Sequence, residues 1–342
     1  MRKEPLFNLG IPYLVIILLL LNTACSEKES FSPSFEAIPT VRVLFASSGL
    51  GDMSYNDNIL RAIIEEQKQN FFQLEYTAPT NDIKAEQILQ KWRVDENPQY
   101  YFTILAASEY ETLVRDSFST TTTHNYLMFD TKAKDISIPV FHFTGYGVSF
   151  LVGIAAYTQT KADKAAYIGG QEHEAFIEEC YDGFRDGYLY AGGKEVVETY
   201  LSTTQKGFSM PQRAYEMADS LYKLYPFIYA MAGNSNNGIY QYLRDHPANK
   251  YTAGVDTDQS AYSSQIIGSM IKEIGRCVRQ YITCWMNGEE LPMREWYTLE
   301  SGYMSFQIAD AYKKNLEQVI SENLQTAINK EKEYGRDKQE NK

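Results

Sequence analysis

The sequence predicts an α/β protein built as two lobes, each a mainly parallel sheet flanked by helices. Three observations carry that expectation. Short β-branched and aromatic runs alternate with amphipathic helix-like runs along most of the chain, the pattern of parallel strands covered by helices. The length of 342 residues suffices for roughly two domains that each bury a core. A hydrophobic fraction of 44% places the chain with globular proteins rather than disordered ones.

The elements follow in order. Residues 1–24 have Arg2 and Lys3, then the apolar run Ile11 to Leu21, then small residues before Cys25. That run is short for a membrane span and suits a signal segment. LNTAC, ending at Cys25, resembles a bacterial lipobox, which implies lipidation of Cys25; Asn22 fits loosely, and an uncleaved anchor is the alternative. Either version tethers the chain to a membrane outside the cytoplasm. Residues 25–39, with Ser, Glu and Pro, read as a flexible linker.

Strands are expected at 41–46, 72–77, 101–106, 126–130, 140–144, 165–170, 195–201, 227–233 and 251–256. Helix-like stretches fall between most of them, and another, beginning near 262, covers SQIIGSMIKEIGRCVRQYI. The first lobe is expected to take 40–143 and 262–290, and the second 144–258 and 294–330. Residues 331–342 read as a charged, frayed tail.

The net charge of −12 argues against nucleic acid as a partner, because phosphate binding needs basic patches. Cys277 and Cys284 stand about 10 Å apart along a helix, too far for a disulfide. No spacing among the Cys, or among His124, His142, His173 and His246, matches a metal site, so no cofactor is expected.

Ligands of such folds bind beyond the C-terminal ends of strands and in the cleft between lobes. GLGDMSYND (49–57) leaves the first strand at such a place, as do AGNSNNG (232–238) and GVDTDQ (254–259), while Phe208 precedes a Pro-started helix. SGLGDMSYND, GYGVSFLVGIAAYTQTKADKAAYIGG, YDGF (181–184), FSMPQRAYEMADSLY, AMAGNSNNG, GVDTDQ and GSMIK together resemble, in order, the signature segments of the basic membrane protein family. Its members are lipoprotein substrate-binding components of ABC importers, including purine-nucleoside receptors. The resemblance covers residues 41 to about 275. It implies a type I periplasmic-binding-protein fold, a small-molecule ligand, a permease partner and no catalysis.

Carried over position by position, the resemblance implies that Tyr55 and Phe208 stack on the two faces of a base. It implies that the backbone at Gly233 approaches ribose, that Asp256 and Lys272 bond the ribose hydroxyls, and that Asn56 and Asp130 lie near the base. Stacking of this kind contributes about 1 to 3 kcal/mol per base. The chain also departs from the pattern. Ala46 stands where an Asp often reads the base edge, Tyr55 replaces Phe, Met53 replaces a common Lys, and AASEY replaces a glycine-rich turn. Plain structural roles compete: Phe208 as a helix-entry staple, Tyr55 as a surface ring, Asp256 as a helix cap and Lys272 as a solvated cation.

Two rival functions are weighed. A binding lipoprotein without a permease would act as a sensor or scavenger. Ser269 and Lys272 match SxxK of penicillin-recognising hydrolases, but the partner motifs SDN and KTG are absent. His173-Glu174 lacks HExxH spacing, and DTDQS (256–260) has Ala261 and Ile267 where a calcium loop needs Gly and Glu.

Overall fold

The computed structural model describes residues 38–94, 97, 99–117, 125–131 and 133–340. The signal segment, Cys25, most of the linker, His124 and the last two residues lie outside the described residues. Two six-stranded sheets are each flanked by helices.

In the first sheet the order is β11-β5-β4-β3-β1-β2, and all pairings are parallel. Its strands are β1 (Thr40–Phe45), β2 (Gln73–Thr77), β3 (Tyr101–Ala106), β4 (Tyr126–Phe129), β5 (Val140–Phe143) and β11 (Arg294–Tyr297). Helices α1 (Tyr55–Gln67), α2 (Asp82–Val94) and α3 (Glu111–Ser117) connect them. Strands β1, β4 and β5 are buried along their whole length, as continuous apolar runs in a helix-covered parallel sheet should be.

The second sheet has the order β12-β10-β9-β8-β6-β7. It comprises β6 (Lys164–Gln171), β7 (Glu195–Ser202), β8 (Phe227–Met231), β9 (Tyr251–Gly254), β10 (Ile266–Lys272) and the antiparallel β12 (Met304–Ile308). Around it run α4 (Tyr146–Thr160), α5 (Ala175–Tyr190), α6 (Pro211–Leu221), α7 (Asn236–Asp245) and α9 (Lys313–Glu340), while α8 (Ile274–Met286) returns to pack on α1 of the first lobe. Glycines let α4 and α5 nearly touch: a Cβ on Gly187 would lie 2.0 Å from the Phe150 carbonyl oxygen.

Three expectations are corrected. The stretch expected as one helix near 262–287 splits, and Ile266–Lys272 becomes the strand β10 of the second sheet. Its run is buried on both faces between β9 and β12, and such a run carries no alternation to separate strand from helix. Residues 294–297, assigned to the second lobe, pair as β11 with β5 of the first. The expected frayed tail is helical through Glu340, with Glu331 buried and Tyr334 stacked on Tyr146 at 4.4 Å between ring centroids.

The chain crosses between lobes three times, at Thr144–Gly145, at Glu273 and between Tyr297 and Met304. Glu331 ties two of these crossings together. Its carboxylate accepts hydrogen bonds from the Thr144 hydroxyl (2.7 Å), the Gly147 amide (3.2 Å) and the Leu299 amide (3.1 Å). Beside it, Glu179 of α5 accepts from the Gly145 and Tyr146 amides at 2.9 and 3.3 Å. Burial pushes the Glu331 carboxyl up to about 7, and the Glu179 charge adds to the shift against the Thr144 hydrogen bond.

A raised carboxyl pKa means that the folded chain holds the proton more tightly than the unfolded one, so stability falls as pH rises from about 4.5 to about 7 and is flat above. Glu331→Gln is expected to lose about 2 to 3 kcal/mol less than the natural chain between pH 4.5 and pH 8, read by calorimetric melting across that range. Parallel pH dependence of the two proteins would contradict this.

Candidate functional site

The loop from β1 to α1 is built by two carboxylates. Asp52, buried, accepts from the amides of Ser54 (3.0 Å), Asn56 (2.8 Å) and Asp57 (3.1 Å), satisfying the free donors at the start of α1. Asp57 reaches back to the amides of Gly51 (2.8 Å) and Met53 (2.9 Å). Gly49, Gly51 and Met53 all have positive φ, so the glycines of GLGDMSYND supply the turn geometry and the acids fix it. Burial lifts Asp52 to about 6, opposed by the same amide bonds.

Six of the seven expected ligand-binding residues line one cavity between the lobes: Tyr55, Asp130, Phe208, Gly233, Asp256 and Lys272. Tyr55 and Asp130 come from the first lobe, at the start of α1 and the end of β4. Phe208, Gly233, Asp256 and Lys272 come from the second, just beyond β7, β8 and β9 and at the end of β10. Asn56 is not among the lining residues. Its amide donates to the Ser48 hydroxyl (3.1 Å) and the Gly49 carbonyl (2.7 Å), so it holds the loop from inside.

A charged cluster closes one end of the cavity. The Lys272 ammonium, almost fully buried, pairs with the Asp130 carboxylate of the other lobe at 3.1 Å and lies 3.7 Å from the Phe176 ring centroid. Asp256 accepts from the Ser54 hydroxyl of the first lobe at 2.5 Å. Both aspartates adopt left-handed backbone angles, φ 55° for Asp130 and 64° for Asp256. That conformation is uncommon away from glycine and tends to mark functional sites.

Burial opposes charge on Lys272, but Asp130 and then Asp256 outweigh it and raise its pKa. Burial likewise pushes Asp130 upward, yet Lys272, and after it His142, hold the carboxyl below its ordinary value. Asp256 stays above its ordinary value because burial exceeds the help from Lys272 and Ser54.

Phe208 sits on a glycine floor. A Cβ on Gly170 would come 2.5 Å from its ring, and one on Gly233, at φ 53°, would lie 3.4 Å from it. Ser235 anchors this loop, its hydroxyl donating to the Gly207 carbonyl (2.7 Å) and accepting from the Met210 amide (2.6 Å). Residues not expected at the site from the sequence also line the cavity, among them Glu174, Phe176, Gln205, Ser48 and Ser108. Most follow strand C-termini, so strand position was the available signal, whereas Phe176 opens a helix after a turn and carried none.

The SxxK pair does not form a catalytic unit. Ser269 is fully buried with its hydroxyl accepting from the Gln259 amide at 3.0 Å, and three residues along a strand put it on the opposite face from Lys272. Among the described residues no group of His, Cys, Asp and Glu could hold a metal ion, and no helix is long and apolar enough to cross a membrane.

Residues 40–338 match the profile of the Bmp family, described as ABC transporter substrate-binding protein, PnrA-like. The chain belongs to the Bmp family. Basic membrane protein D of Borreliella burgdorferi is 27% identical over 157 residues, 44% of this chain and 45% of that protein. The chain spans about half the length of the curated Bmp relatives it matches. Among solved structures, a solute-binding protein of an ABC transporter system from Aeropyrum pernix superposes with a TM-score of 0.71 at 17% identity, covering 86% of each chain. A periplasmic solute-binding protein from Actinobacillus succinogenes with bound D-allose superposes at 0.63 with 11% identity, over 81% of this chain and 99% of that one. These likenesses establish the two-lobed fold, and the Bmp family is one of solute-binding proteins rather than enzymes.

Lys272→Met leaves Asp130 and Asp256 buried without their counter-ion. The expected loss is about 3 to 5 kcal/mol in urea unfolding at pH 7, partly restored by adding Asp130→Asn. An unchanged midpoint in the single variant would contradict the pairing.

Proposed function

We propose that the chain is the binding component of an ABC importer, held outside the cytoplasm through Cys25, that captures a nucleoside between its lobes and presents it to a permease. One observation carries this reading. Two aromatic residues on opposite lobes, Tyr55 and Phe208, line a single cavity that also holds the Asp130, Lys272 and Asp256 cluster. A flat base suits the rings, and a sugar with several hydroxyls suits the carboxylates and ammonium. The interlobe bonds support capture by closure: Ser54 to Asp256, Lys272 to Asp130, and the Ser209 hydroxyl to the Ser48 carbonyl at 3.4 Å.

The carboxyl and amine side chains lining the cavity are Asp52, Asp130, Glu174, Asp256 and Lys272, four acids against one base. A phosphate would meet net repulsion there, so nucleosides are favoured over nucleotides.

Thermal-shift measurement on the full chain in detergent tests this against nucleosides, free bases, nucleotides and sugars. A nucleoside at a hundredfold excess over its Kd should stabilise the fold by about 2.7 kcal/mol. The shift should vanish in Phe208→Ala and Asp256→Ala and be absent with nucleoside monophosphates. No shift with any nucleoside would sink the reading. The anchor is tested separately: Cys25→Ser should move the protein from the membrane fraction to the soluble fraction, or leave the unprocessed precursor.

A further inference from the structure

The Tyr55 hydroxyl is buried in the cavity wall beside the Asp130 carboxylate, and among the described residues it makes no hydrogen bond of normal geometry. A phenylalanine would supply the same ring without that polar atom, and burying a hydroxyl unpaired is costly. Its surroundings define what would pair with it. After burial itself, the carboxylates of Asp130, Asp256 and Glu174 hold the phenol pKa far above its usual range, so the group stays an O–H that can donate and accept. The Lys272 ammonium lies 5.3 Å from the Tyr55 ring centroid and is already committed to Asp130.

A ligand group entering this corner must give protons to carboxylates and also pair with a phenol. A carbonyl or phosphate only accepts, and an ammonium only donates. A hydroxyl does both at a single oxygen, whereas an amide edge of a base splits the two roles between two atoms, and neighbouring hydroxyls on one sugar ring can reach two of these groups at once. We infer that the Tyr55 hydroxyl is a specificity-determining group that reads a sugar hydroxyl of the ligand, alongside Asp130, Asp256 and Lys272. Its ring then flanks the ligand while its oxygen tells a hydroxylated sugar from a deoxy one. This rests on the nucleoside reading in taking that sugar to be ribose.

Titration calorimetry on the full chain in detergent, natural and Tyr55→Phe, tests it with adenosine, guanosine, inosine and uridine and with the 2′-deoxy and 3′-deoxy forms of whichever binds. Tyr55→Phe is expected to weaken the ribonucleoside about tenfold and to weaken the analogue lacking the read hydroxyl by no more than about twofold. Equal loss for all three ligands, or no loss for any, overturns the inference. The ligand-free variant should melt no lower than the natural chain; a drop of several degrees would mean that the hydroxyl holds the fold and would overturn it too. If nucleosides fail but free aldopentoses bind, the nucleoside reading falls alone, and Tyr55 is judged by the same factors on D-ribose and 2-deoxy-D-ribose. If neither class binds, both fall.

Discussion

Everything at the cleft depends on one ammonium group kept out of water. Lys272 stands at the end of β10 with its side chain only 4% exposed, and an isolated charge in that position would cost several kcal/mol. It is tolerable because Asp130 reaches it from the other lobe and Asp256 faces it from its own. Both aspartates give up ordinary backbone geometry to do so. The arrangement therefore stores its cost in two left-handed residues and recovers it in electrostatics, and the recovery requires the lobes to be together. Ser54 repeats the logic with a hydroxyl, binding Asp256 across the same gap.

The crossings between the lobes answer a different demand, close beside that cluster: Glu273 directly follows Lys272. Three crossings join the lobes, and two of the three run past a single carboxylate, that of Glu331. Its donors are the Thr144 hydroxyl and two backbone amides, short contacts that leave the sheets themselves untouched. Helix α9 thus does more than cover the second sheet. It carries Glu331 to the crossings and Tyr334 to a stack on Tyr146, with the Tyr334 hydroxyl donating to Asp182 at 2.9 Å.

The sequence made much of this legible, for reasons that differ by element. Strands β1 to β9 are short runs bounded by turn residues, and all but β4 and β9 lead into an α-helix, so period and punctuation agree. Strand β10 lacked that agreement: IIGSMIK is buried on both faces and is separated from the helix IGRCVRQYITCWM by the single residue Glu273, with no turn signal between them. Strand β11 is four residues at a sheet edge, and β12 alternates buried and exposed over five, too little signal in either case. At the site, Tyr55, Asp130 and Asp256 stand at or after expected strand ends, whereas Lys272 falls inside an expected helix and is reached only through the family resemblance. Asn56 could not be resolved, since the same amide serves a ligand or the loop depending on one torsion, and here it bonds Ser48 and Gly49. Glu331 read as one of many acids in a charged stretch, because only the path of the crossings reveals what it binds.

The end of the cavity opposite the charges follows from strand order. In the first sheet β4 carries Asp130, β3 lies beside it and β1 beyond, so Ala46 sits roughly two strand spacings, about 10 Å, from the charged cluster. The lining there is Ala46, Ala107, Ser108 and Ser48. Glu109 is spent on Ser47, accepting from its amide at 2.6 Å and its hydroxyl at 2.9 Å, and Asp52 on the amides at the start of α1. Among the described residues, both of these first-lobe carboxylates are thus committed to the protein's own donors, and Ala46 adds none. Under the nucleoside reading, identity at the base edge rests on neutral groups, the hydroxyls of Ser48 and Ser108 and the amide of Gln205 from the second lobe. Such groups both donate and accept, so they discriminate by shape and spacing more than by charge, while the sugar end, with its fixed charges, carries the stronger chemical demand.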